Sequence, residues 1–251
     1  MDLKKLSETF ARDGFVVIQQ LWDPCFSDEV EREFERFVRE VVPGMPRDNK
    51  VYLSGWDGPL KSLGGMERFD PFFEGLKNRD DLCQIATALL GHQARAFGVE
   101  YFGRPPHSDA VAPYHQDNAY FCYEPAEALA FWIPLDHVKA ANGGMVYAAG
   151  SHTAGLLPHG ASGIHGFSQG MVDPDTRLAA FTEVEVEIPR GGCAIHHALT
   201  AHRSGPNPTD SERRVLVVDC KTPRTREDNE LRARMAAELE QLLKAVGARE
   251  E

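Results

Sequence analysis

The feature that most constrains this chain is a change of hydrophobic period after residue 92. Residues 94–102, 128–135, 145–148, 183–188, 193–196 and 213–220 are short runs rich in β-branched and aromatic side chains, separated by Gly, Pro and Asn. Several short strands punctuated by turns, with no helical pattern between them, predict two packed antiparallel sheets rather than alternating βαβ units. The expected fold class is mainly β with flanking helices, a double-stranded β-helix or cupin-like jelly roll. The run Thr182–Pro189 (TEVEVEIP) alternates strictly, which predicts a half-exposed strand with Val184, Val186 and Ile188 inward.

The ends read as helix. Leu3, Leu6 and Phe10 share a face, and Gly14 follows as a C-terminal cap. FVVI at 15–18 predicts a buried strand, and Ser27 is the expected N-cap of a second helix carrying Phe34 and Phe37 and running to about Val42. Residues 43–70, rich in Gly, Pro and Asp, read as loop, and a further helix is expected over 81–90, closed by Gly91. In the tail, Leu231, Met235, Leu239, Leu242, Leu243 and Val246 fall on one face, so this helix either packs on the sheet or binds a partner. With no repeat or linker, a single domain over 1–251 with a β core at about 93–220 is the economical organisation.

Charge and composition narrow the function classes. The 251 residues are 42% hydrophobic, which is sufficient for a sizeable core, and 27 Lys and Arg against 38 Asp and Glu give a net charge of -11. Such a surface repels nucleic acid and anionic membrane, so neither is expected as a partner. No run approaches the roughly 18 apolar residues of a membrane helix, and MDLKKLSETF lacks the apolar segment of a signal peptide, so a cytoplasmic protein is expected. Five cysteines without a CxxC pattern read as reduced, mostly core residues.

Nine of the ten histidines lie between His107 and His202, and the chemistry is sought there. In PYHQDNAYF, alternation along an extended segment points His115 and Asp117 to one side and Gln116 to the other. That spacing suits two ligands of one ion, although a structural His–Asp hydrogen bond is the plainer meaning of the tripeptide alone. His202 follows the strand-like GGCAIHH. Two histidines and a carboxylate on one side of an ion leave open positions opposite, which suits non-haem Fe(II), while zinc accepts the same donors. Arg213 begins the next run, eleven residues after His202, with Ser204 between them. An inward arginine there needs an anion, and its planar fork matches a carboxylate; the alternative is a surface salt bridge.

Together these segments resemble the phytanoyl-CoA dioxygenase family of Fe(II)- and 2-oxoglutarate-dependent oxygenases. The resemblance rests on HQD at His115 to Asp117, on FWIPLDHVKAANGGMVYAAGSH ending at His152, and on HRSGPNPTDSERR from His202, with a weaker match in FARDGFVVI. It implies that His115, Asp117 and His202 bind Fe(II), and that Arg213, assisted by Ser204, holds the distal carboxylate of the cosubstrate 2-oxoglutarate. Trp132 and Gln116 are placed at the cosubstrate site on the same ground. No catalytic residue beyond the metal ligands is implied.

Because Asp117 is present where related halogenases carry a small residue, hydroxylation of a small soluble metabolite or natural-product intermediate, with dioxygen consumed and succinate and carbon dioxide released, is the expected outcome. The short chain and the lack of a basic cluster for a phosphorylated nucleotide make an acyl-CoA thioester a poor substrate. The competing functions are a cupin-type metalloenzyme that does not use 2-oxoglutarate and a non-catalytic ligand-binding jelly roll.

Residues two apart share a face, so Glu100 is expected inward beside Gly98 and Phe102, where it would meet a cation or hydroxyl of the substrate. Tyr120, Phe121, Tyr123, His165, Phe167 and Gln169 are further candidate pocket residues, the last three from the long Gly-rich connection 155–175. One of His196 and His197 is expected to point inward behind the metal. The Asn142-Gly143-Gly144 and Gly150-Ser151-His152 segments read as turns.

Overall fold

The structure, a computed structural model, describes residues 1–53, 58–164 and 167–237, with the side chain of residue 167 left out. Two antiparallel sheets face each other as a jelly roll. The larger has seven strands in the order Phe15–Ile18, Cys193–His197, Ala128–Pro134, Arg213–Lys221, Arg95–Arg104, Leu60–Leu63 and Lys50–Tyr52. The smaller has four: Thr182–Val186, Met145–Ala149, His202–Ser204 and Ala112–His115. Ala128–Pro134 lies inside the larger sheet and is buried at every position, which is why its sequence is a continuous apolar run instead of an alternating one.

The larger sheet has two differently covered faces. On its outer face the helices Leu3–Asp13, Pro24–Glu40, Pro71–Lys77 and Asp80–Leu90 pack through Phe10, Phe34, Phe37, Phe73 and Leu82 onto Phe131, Ile133, Leu216 and Val218. Each such fully buried side chain contributes about 1.5–3 kcal/mol, so this layer fixes the sheet as a rigid platform. On the inner face Trp132, Val215 and Ala194 meet Tyr147, Val186 and Ile188 of the opposite side, and Phe15 stacks on Tyr147 with centroids 4.4 Å apart. Val184, Val186 and Ile188 turn inward as their alternation predicts.

Gly14 caps the first helix at φ 79°, and its carbonyl accepts from Thr200 Oγ1 (2.7 Å) and His197 N (2.9 Å). A Cβ at Gly14 would sit 2.4 Å from Thr200 Oγ1 and 2.5 Å from His152, so only glycine permits this close approach.

Several elements differ from the sequence expectation. Asp23, not Ser27, caps the second helix: its carboxylate accepts from Phe26 N (2.9 Å) with Pro24 in the first turn, while Ser27 is buried and bonds back to Asp23 O. The expected loop 43–70 contributes two strands: Leu60–Leu63 pairs with the edge of Arg95–Arg104, Ser62 lying opposite Phe102, and Lys50–Tyr52 pairs in turn with Leu60–Leu63. The connection 155–175 holds a hairpin, His159–Ile164 with Phe167–Met171. Helix begins again at 229, but Leu231 and Met235 pack on Ala119 and Cys122 rather than on a sheet. Leu239, Leu242, Leu243 and Val246 lie outside the described residues. No helix among the described residues is long and apolar enough to cross a membrane. All five cysteines are free, with Cys122, Cys193 and Cys220 buried.

Candidate metal centre

The smaller sheet builds the candidate metal site. His202 and His115 are direct cross-strand partners, with ring centroids 4.2 Å apart. Their Nδ1 atoms lie 2.9 Å from Thr200 O and 2.8 Å from Pro113 O, so each Nδ1–H donates to a carbonyl and each Nε2 lone pair is left for a ligand role. Asp117 Oδ1 is 3.7 Å from His115 Nε2 and 3.6 Å from His202 Nε2, and one donor atom from each of the three residues falls within 4.8 Å of the others.

Asp117 reaches this position by a different route from the one alternation predicts. The strand ends at His115, and Asp117 is helical (φ −60°, ψ −30°), opening the short helix Asn118–Phe121. The chain turns the carboxylate back instead of continuing extended.

His196 completes the support. Its Nε2 lies 3.0 Å from Asp117 Oδ2 and its Nδ1 lies 3.0 Å from Tyr147 Oη. With Nε2–H donating to the carboxylate, Nδ1 accepts from the Tyr147 hydroxyl, and the chain Tyr147–His196–Asp117 fixes one carboxylate oxygen and leaves the other facing the two ligand histidines. Burial opposes the charge on Asp117, but His202, His196 and His115 together hold its carboxyl well below the usual range. Burial likewise pushes His115 and His202 down, keeping both imidazoles neutral and ligand-competent.

These three residues open onto a cavity of about 330 Å³ between the sheets. Arg213 forms one end. It is 2% exposed, its guanidinium lies 5.4 Å from the Trp132 ring centre, and its Nε is buried without a hydrogen-bond partner. Arg104 is its cross-strand partner and donates to Ser204 Oγ (3.2 Å). Burial lowers Arg213 to about 9, with the Arg104 charge adding to the effect, and burial alone lowers Arg104 to about 10. Two desolvated guanidiniums beside one serine make a pocket for an anion.

Adjacent Arg214 faces away and is bound to Asp136 (2.8 Å) and Glu31, so strand alternation separates the pocket arginine from the structural one. The turn joining His202 to Arg213 is held by Asn207, whose amide donates to Arg104 O, Pro105 O and Ser211 O.

Of the other expected site residues, Glu100, Trp132, Tyr120 and Phe121 line the cavity, as does His196, the inward member of the His196–His197 pair. Gln116 does not. Its amide donates to Gly155 O (2.9 Å) and Leu199 O (2.6 Å) and accepts from Leu157 N (2.8 Å), so the placement at the cosubstrate site is corrected: it is a bracket for three loop segments. Tyr123 packs on Phe97 and Lys221 away from the cavity, and Gln169 donates to Ala119 O. His165 and the Phe167 side chain lie outside the described residues. Gly143 and Gly150 adopt positive φ in turns, as their sequence context predicts.

Sequence reasoning overlooked Arg104, Tyr147 and Asp219. The period of two that selects Glu100 and Arg213 also selects Arg104 and Asp219, which lie four and six residues further along the same inward faces.

A family model for phytanoyl-CoA dioxygenase (PhyH) matches residues 10–215. A probable phytanoyl-CoA dioxygenase of Caenorhabditis elegans is 30% identical over 225 residues, covering 82% of this chain and 71% of the relative. Two further curated relatives are spanned over 63% and 57% of their own length. Among solved structures, the non-heme monooxygenase ThoJ in its apo form is 27% identical with a TM-score of 0.71, over 88% of this chain and 79% of that one. The epimerase SnoN, in complex with Fe3+, alpha ketoglutarate and nogalamycin RO, superposes with a TM-score of 0.73 at 21% identity, over 89% and 84% of the two chains, a likeness of fold. With the family model matching residues 10–215, a span that holds His115, Asp117, His202 and Arg213, the chain belongs to the phytanoyl-CoA dioxygenase family.

Proposed function

We propose that the protein is an Fe(II)- and 2-oxoglutarate-dependent oxygenase that hydroxylates a small soluble molecule. The observation that carries this reading is the meeting, in one cavity, of an open His115–Asp117–His202 donor set with a buried arginine whose Nε has no partner. Two neutral imidazoles and one carboxylate on one side match the donors of non-haem Fe(II) and leave its remaining positions toward the cavity. Arg213 fits the far carboxylate of 2-oxoglutarate by its planar fork, with Ser204 and Arg104 beside it and Trp132 alongside the guanidinium. A metalloenzyme without this cosubstrate would give no reason for two buried guanidiniums at the end of the metal cavity.

When bound, Fe(II) and 2-oxoglutarate supply with dioxygen an oxidant for a C–H bond and leave succinate and carbon dioxide. The chain's own work is placement and exclusion. Carbonyls of Pro113 and Thr200 hold the histidine tautomers, His196 holds the carboxylate, and Phe102, Trp132, Met145 and Val217 give the cavity dry walls. No side chain is required to move a proton.

Anaerobic titration with Fe(II) and then 2-oxoglutarate tests the reading through the visible charge-transfer absorption of the chelate. The band is expected in the wild type and lost in Asp117→Ala and His202→Ala. Failure of the wild-type protein to bind 2-oxoglutarate in the presence of Fe(II) would overturn it.

A further inference from the structure

Glu100 and Asp219 serve neither the metal nor the anion pocket, yet both line the cavity. They project from the inward faces of neighbouring strands, Glu100 opposite Val217 and Asp219 opposite Gly98. Across the sheet Asp219 stands in a row with Ala130 and His196. Its backbone is therefore two strand spacings, roughly 10 Å, from the residue that holds Asp117. Asp219 is 5% exposed, and neither carboxylate has a hydrogen bond or ion pair among the described residues. The nearby Glu67 differs, since it accepts from Val99 N (3.0 Å) and faces Arg68.

Two inward carboxylates without donors are costly to keep. Burial raises both above the usual carboxylate range; the charges of Asp117 and Glu67 raise both further, and the charge of Glu100 adds to the rise of Asp219. The walls beside them are glycine: a Cβ at Gly98 would lie 3.9 Å from Asp219 Oδ2, and one at Gly64 would lie 3.9 Å from Glu100 Oε1. Space is thus left next to each carboxylate, and the aromatic rings of Tyr120 and Phe121 line the same cavity.

We propose that Glu100 and Asp219 form the recognition subsite for an ammonium group of the substrate, so that the substrate is an amine held between the two carboxylates with the carbon to be oxidised toward the metal. A hydroxyl brings one donor and no charge, which leaves two acceptors facing each other. An ammonium brings three N–H donors and a positive charge, and aromatic faces nearby suit it further. The orientation toward the metal rests on the oxygenase reading, whereas the binding subsite stands without it.

The test compares n-butylammonium chloride with butan-1-ol as calorimetric probes of the Fe(II)-loaded protein under anaerobic conditions. The ammonium is expected to bind at least about tenfold more tightly than the alcohol, as for a hydrogen bond to a charged group. Glu100→Gln with Asp219→Asn should abolish that preference without lowering the thermal unfolding midpoint, because the replacement removes like charges from the cavity wall; each single substitution gives the same reading should the double variant not fold. Equal affinities in the wild type, no measurable ammonium binding, or a preference kept by the folded variant would overturn the subsite. Chelation of 2-oxoglutarate in the same preparation reports on the oxygenase assignment alone, so its failure alongside an intact ammonium preference removes the reaction and keeps the subsite.

Discussion

At one end of the cavity the strands Arg95–Arg104 and Arg213–Lys221 set two guanidiniums opposite each other, and six residues along, roughly 20 Å of backbone, the second strand carries Asp219 near Glu100 of the first. Both ends gather like charges, and at both ends burial presses the groups toward their neutral forms: Arg213 and Arg104 are pushed down, Glu100 and Asp219 up. In the outer layers, among the described residues, charges of opposite sign meet, as Arg214 does with Asp136 and Arg36 with Asp70. Gathering like charges and desolvating them costs the cavity strands stability that the paired charges of the outer layers do not cost. Ligands of opposite sign at the two ends would restore it.

The sharpest way to break this comparison is at the cationic end. Arg213→Ala should weaken 2-oxoglutarate binding by about 30-fold to 5 × 10³-fold, since truncating one partner of a buried charge pair costs about 2–5 kcal/mol. Fe(II) affinity measured without the cosubstrate should stay within threefold. A comparable loss of both would mean that the arginine supports the metal strands rather than an anion.

The acidic end predicts a dependence of stability on pH. A carboxyl whose folded value is raised contributes stability below its unfolded value, near 4, and loses it as pH climbs through the folded value, about 7 for Glu100. The midpoint of Glu100→Gln/Asp219→Asn should match the wild type near pH 4 and exceed it by about 4–8 °C at pH 8, equivalent to about 2 kcal/mol. Comparing the variant with the wild type cancels the opposite contribution of the buried histidines. Thermal melts across that range check it, and a gap that closes with rising pH would contradict it. The smallest effect is expected at Trp132→Phe, where the weaker ring face beside Arg213 should reduce 2-oxoglutarate affinity about threefold in the same titration.

The meeting of His115, Asp117 and His202 and the inward position of Arg213 were legible in the sequence because each sits in a short run with fixed local spacing, HQD in one and HRSGPNPTDSERR in the other. The sheets were legible in outline for the same reason, through runs such as ALAFWIP and RRVLVVDC. What escaped depended on pairing between distant segments. Arg104 and Asp219 become neighbours of the site only through the register of their strands. Leu60–Leu63 has no strand pattern of its own and is made a strand by the edge it meets. Asp117 comes beside His115 and His202 through a helical turn, which alternation along an extended strand does not foresee. Gln116 was read as pointing away from His115, but its three main-chain partners lie 39 to 83 residues ahead and leave no local trace.

Those partners have an evolutionary meaning. Gln116 grips its neighbours by carbonyl and N–H groups, which residues 157 and 199 present whichever side chains they carry, short of proline at 157. The loop leading into the hairpin His159–Ile164 is therefore anchored to the ligand motif by its backbone. Mutation can rewrite much of that loop while the geometry of His115 and Asp117 persists, so substrate range and metal binding can diverge on separate schedules within one lineage.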